Sequence, residues 1–134
     1  MSHYRSNLRD IWFQLFEVLS VDRDVLGHGP FSSMDADSAR EILTGLHGMV
    51  MDSWSPAFVE GDRQGAQFDG KGNVTLPAGT RKAIAAYYDG EWNKMDLPES
   101  LGGLGAPPSL QWAAFELLSG ANASATFYLL GNFV

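Results

Sequence analysis

The sequence predicts an all-α fold, an incomplete helical bundle that carries one minor β-hairpin. Three observations lead there. Two stretches in the first half repeat their apolar residues at the 3.6-residue period of a helix. That period is lost around Gln67 to Thr75, where turn residues cluster. Beyond a glycine- and proline-rich elbow, Leu97 to Pro108, the chain runs to Val134 with Glu116 as its single charge.

From Asn7 to Ser20, Leu8, Ile11, Trp12, Leu15, Phe16 and Leu19 fall on one helical stripe, with Arg9, Asp10, Gln14 and Glu17 on the other side. Ser6 or Asn7 can cap the first turn, and Gly27 to Pro30 prevents continuation. Residues 1–30 therefore read as an N-terminal amphipathic arm, and 31–134 as the helical body. The polar face of the arm lacks the Lys and Arg excess of a membrane-surface helix. Packing on its own body or on a neighbouring subunit is expected instead.

A second helix opens at Asp35 or Asp37, whose carboxylate can accept from free amides and complement the helix dipole. Ala39, Ile42, Leu43, Leu46, Val50 and Trp54 continue its stripe. Gly45 and Gly48 each cost about 1 kcal/mol against alanine, so packing must hold it. Pro56 is expected to kink or end it, leaving Ala57 to Arg63 to finish in an acidic turn at Glu60-Gly61-Asp62-Arg63. Gln67-Phe68 and Val74-Thr75 flank Asp69-Gly70-Lys71-Gly72-Asn73, a hairpin by its turn chemistry; the oxygen spacing and closing Glu of a calcium loop are missing. Pro77 starts a third helix, Ala78 to Asp89, which Gly90 ends. Past the elbow, two small-residue helices are expected, Ser109 to Gly120 and Asn122 to Phe133.

The 134 residues amount to one domain or part of one. A net charge of −7 with nine scattered basic residues excludes a phosphate-backbone partner. The absence of cysteine removes disulfides, thiolate nucleophiles and thiolate metal sites. No apolar run reaches the roughly 18–20 residues that span a bilayer, and the charged N-terminus is unlike a signal peptide, so the expected location is cytoplasmic. His3, His28 and His47 lie in unrelated elements without metal-ligand spacing. Gly102-Gly103-Leu104-Gly105 lacks the spacing of a dinucleotide loop and reads as a turn through which backbone passes close to packed side chains. No catalytic residue and no metal site emerges.

Several segments, in order, resemble the N-terminal part of the flavin-dependent acyl-CoA dehydrogenases, in particular a bacterial subgroup with an additional N-terminal arm. Ser2 to Asp10 with Phe13 and Leu15 to Leu19 resembles that arm. Asp35 to Leu43 and Phe58 to Arg63 resemble the first long helix. Leu97-Pro98-Glu99, Gly102-Gly103, Ala106 to Ala113 and Glu116 to Asn122 are similar to the loop and helix that approach the substrate cavity. The subgroup differs at Gly45 to Trp54, where it has better helix formers, and at Ala123, where it often has proline.

The resemblance implies the helical layer of an enzyme that oxidises an acyl-CoA to the 2,3-enoyl-CoA. FAD and a C-terminal glutamate base would belong to later domains of the complete enzyme, and this chain alone would bind no cofactor. By position, Thr126, Leu129 and Leu130, with Phe127 and Phe133 as neighbours, would form the acyl-pocket wall; ordinary core packing would account for the same residues. The implied partners are the remaining domains or a complementary subunit, acyl-CoA, and further copies in a homo-oligomer. The apolar close from Thr126 to Val134 is expected of a chain truncated before the flavin-binding β-domain. A non-catalytic helical interaction subunit and a small lipid-binding module are the alternatives.

Overall fold

The computed structural model describes residues 3–132. The fold is all-α with a two-stranded antiparallel hairpin. Helices α1 (Leu8–Trp12) and α2 (Val21–Asp24) belong to the arm, and α3 (Ala36–Met49), α4 (Ala57–Gln64), α5 (Ala78–Asp89) and α6 (Pro108–Thr126) to the body. Strands β1 (Gln67–Phe68) and β2 (Val74–Thr75) pair Gln67 with Thr75 and Phe68 with Val74.

The arm stripe is buried at Ile11, Leu15 and Phe16, and Arg40 of α3 lies over the Phe16 ring at 4.3 Å. One expectation fails at its end. After Trp12 the chain continues as a π-helix, Phe13–Val18, and Leu19 is 59% exposed. Bonding from i to i+5 widens the turn, so side-chain phase lags behind the α period and Leu19 leaves the stripe. Residues before α1 also pack on this same chain. The His3 imidazole stacks on Phe58 and hydrogen-bonds Ala121 O at 2.8 Å, and a Cβ on Gly120 would come within 2.8 Å of the Tyr4 ring.

Asp35 caps α3 by accepting from Ser38 N–H at 2.8 Å. Ala39, Leu43, Leu46, Val50 and Trp54 are fully buried along the expected stripe. Its last turn, Val50–Trp54, is also π-helical, and Ser55 and Pro56 keep helical dihedrals. The wider turn, closed by Ser55 N–H to Val50 O, accommodates the proline ring that an α-helix would clash with. Residues Ala57–Gln64, including the expected acidic turn at Glu60 to Arg63, are therefore a helix. Proline is tolerated where a helix starts because its missing N–H would be unpaired there anyway.

Glu60 then acts at a distance. Its carboxylate accepts from Gly79 N–H at 2.8 Å and so serves the N-terminus of α5, whose cap residue Pro77 supplies no side-chain bond. Gly79 is required for this approach, since a Cβ there would lie 2.2 Å from Glu60 Oε2. Between α4 and α5 the hairpin turn is organised by Asp69, which accepts from Lys71 N–H, Asn73 N–H and Asn73 Nδ2. These bonds hold its carboxyl below the ordinary 3.8.

The elbow is a backbone-bonded loop: Leu104 N–H donates to Lys94 O, Gly105 N–H to Leu97 O, and Ala106 N–H to Met95 O. Gly103 lies so close to Leu97 that a Cβ would meet its carbonyl oxygen at 2.0 Å. The expected close approach is thus present, and it aims the chain into α6.

Candidate functional site

Pro107 and Pro108 start α6 with pre-set φ and without a wasted donor. Leu110, Ala113, Ala114, Leu117, Leu118 and Ala121 then face the core. At Asn122 the backbone leaves helical space, with φ −162° and ψ 82°, and a new helical segment begins. Its first turn is capped from inside the chain: Asn122 Oδ1 accepts from Ala125 N–H at 3.0 Å, and Thr126 Oγ1 donates to Asn122 O at 2.9 Å. The α-helix ends at Thr126 and continues as a 3-10 helix, Phe127–Asn132, in place of the expected single helix to Phe133.

On the outer side of this break lies an open apolar groove lined by Phe115, Ser119, Ala123, Thr126, Phe127 and Leu130. Phe115 and Ser119 before the break, and Ala123 and Phe127 after it, are each four residues apart, and both pairs line the groove. Ser119 and Ala123 are small and leave room between the aromatic walls. The Thr126 hydroxyl is engaged by Asn122 O, and no charged side chain lines the groove. The lining is apolar apart from two engaged or small hydroxyl residues, and among these six residues there is no acid, base or activated nucleophile.

Of the five residues singled out by sequence, Thr126, Phe127 and Leu130 meet in this groove. Leu129 is fully buried and belongs to the core. Phe133 lies outside the described residues. Phe115, Ser119 and Ala123 were not anticipated, although their i+4 spacing, continued by Phe127, was open to view.

Elsewhere, a more polar cleft runs between Asp62, Pro77, Thr80 and Tyr128. Burial raises the phenolic pKa of Tyr87, and burial with the nearby Glu116 charge raises that of Tyr4. Neither tyrosine lines the groove. Among the described residues no cluster of His, Asp and Glu is placed to hold a metal, and no helix is long and apolar enough to cross a membrane.

No protein-family profile matches the chain. It is similar to the broad-specificity linear acyl-CoA dehydrogenase FadE5 of Mycobacterium tuberculosis, with 43% identity over 132 residues, or 98% of this chain and 21% of that protein. It is also similar to the 3-methylmercaptopropionyl-CoA dehydrogenase of Ruegeria pomeroyi, with 31% identity over 121 residues, or 90% of this chain and 20% of that one. The homologues over nearly the whole chain are thus acyl-CoA dehydrogenases, and the chain spans about one fifth of their length. That coverage is consistent with an N-terminal portion of such an enzyme.

Proposed function

We propose that this chain is the N-terminal helical portion of an FAD-dependent acyl-CoA dehydrogenase, and that its groove is part of the wall around the acyl chain. The supporting observation is the groove itself: six residues without a charge, on the outer side of α6, in a chain whose homologues are acyl-CoA dehydrogenases. Burying an acyl chain there is worth about 0.8 kcal/mol per methylene. In the complete enzyme FAD would accept the hydride taken from the acyl β-carbon. This chain's own residues would bind and orient the hydrocarbon and exclude water from it. Its partners in this reading are the remaining domains, and the complete enzyme is a cytoplasmic homo-oligomer.

The test is a chimera in which this chain replaces the matching fifth of the mycobacterial relative, assayed for acyl-CoA oxidation by dye reduction. Activity whose chain-length profile shifts on Phe127→Ala is the expected result. A soluble, flavin-loaded chimera without activity, or one indifferent to Phe127, overturns the reading. A lipid-binding module is favoured instead if the chain alone binds fatty acids tightly while the chimera stays inactive.

A further inference from the structure

We infer that His3 and Tyr4 form a strap over the break in α6, and that strap and break open together as one local unit while the core stays folded. The inference does not depend on what the groove binds. Where the backbone leaves helical space at Asn122, the last carbonyls of the preceding helical segment need donors from outside it. Two of them find one elsewhere in the chain. Trp54 Nε1 donates to Leu118 O at 3.1 Å, and His3 Nε2 donates to Ala121 O at 2.8 Å. A carbonyl only accepts, so the His3 proton sits on Nε2. The two donors differ in freedom. Trp54 is fully buried in the core, whereas His3 is exposed and lies on a terminal stretch that can leave.

The strap has a fitted seat. The His3 imidazole stacks on the Phe58 ring of α4, with centroids 4.3 Å apart and 26° between the planes, so one side chain bridges α4 and α6. Beside it Tyr4 lies over Gly120, where a Cβ would come within 2.8 Å of the ring. Glycine weakens a helix interior relative to alanine, and this close approach accounts for its presence there. Burial, together with the charge of Glu116 one turn before Gly120, raises the Tyr4 phenol, as expected of a ring withdrawn from water. Next to these contacts Ala121 is fully buried and Asn122 is 3% exposed. Asn122 Nδ2 donates to Trp54 O at 3.2 Å, and Oδ1 accepts from Ala125 N–H at 3.0 Å. Closed, the strap shields these bonds; open, it leaves Ala121 O without its donor and lets water compete for them.

Amide hydrogen exchange on the full 134-residue chain, followed by NMR in increasing sub-denaturing urea, reads the opening at the Ala125 amide. In wild type this amide is expected to exchange with a shallower urea slope than those of Leu43, Leu46 and Ala83, because the local opening exposes less surface than global unfolding. His3→Phe keeps a ring on Phe58 and removes the donor to Ala121 O, and Gly120→Ala pushes Tyr4 from its seat. Each should speed exchange of the Ala125 amide by about tenfold and keep its slope shallow.

An Ala125 amide that exchanges at the wild-type rate in both variants overturns the inference, since strap and break then open independently. For Gly120→Ala helix propensity alone predicts the opposite sign, so a slower Ala125 amide overturns it too. A wild-type Ala125 slope as steep as that of Leu43 has the same consequence, because the segment then opens only with the whole fold. A variant that does not fold makes the strap part of the core and also defeats the inference. Independently of any variant, a nuclear Overhauser effect between the His3 and Phe58 rings supports the closed strap in wild type, and its absence overturns it.

Discussion

Helices α3 and α6 lie side by side in the same core, and their outward faces differ. On α3 the outward positions are Asp37, Glu41 and Thr44, while Leu43 and Leu46 face inward. On α6 the inward face is just as apolar, but outward stand Trp112, 60% exposed, and the single charge Glu116, with Phe115 and Ala123 further along and Phe127, 69% exposed, just past its end. The outward face of α3 is charged, whereas that of α6 carries large apolar side chains beside the one charge, Glu116. Both helices hold the fold through their inward faces; they differ in what they present outward.

That contrast can be broken most forcefully where the two helices meet. Trp54→Ala removes the indole that packs and bonds between them, and is expected to cost about 3–5 kcal/mol in a denaturant melt. Gly103→Ala, at the elbow that aims α6, forces backbone apart and should cost about 1–3 kcal/mol. Phe127→Ala should change stability by less than about 0.5 kcal/mol, since the ring is exposed, yet weaken dodecanoate binding by roughly three- to tenfold. A large loss of stability there would show that the outward face is ordinary core.

The smallest effect is at the start of α3. The bond from Ser38 holds the Asp35 carboxyl below its ordinary 3.8. Below that value the unfolded chain binds the proton more readily, so the stabilisation is fully present above it and is lost as pH falls through the folded value. Asp69 behaves in the same sense. Asp35→Asn keeps a cap without a charge, and should make the melting temperature fall less steeply on acidification than in wild type. An unchanged slope would remove Asp35 from the account.

Much of this was legible in the residues. Pro77 and Gly90 bracket α5, the Asp-Gly-Lys-Gly-Asn turn forecasts the hairpin, and Asn122 reads as a helix start. What was not legible depends on accumulated phase. An α stripe and a π stripe coincide for a turn and diverge after it, which is why Ile11 to Phe16 were placed correctly and Leu19 was not. Helix α4 was hidden because Pro56 reads equally as an ending and as a beginning. The groove's walls fall at helical spacing, so what the sequence does not display is the non-helical backbone at Asn122 and not the set of lining residues.

The bond from Glu60 to Gly79 N–H has a practical corollary. It ties the chain together on both sides of the hairpin, which makes residues 65–76 an excursion anchored at its base. Lengthening such a loop costs only about 0.6 kcal/mol per doubling of its length. The exposed turn from Gly70 to Gly72 is therefore an address at which an affinity tag or fluorophore can be inserted, away from the groove-lining residues, leaving α4 and α5 in register.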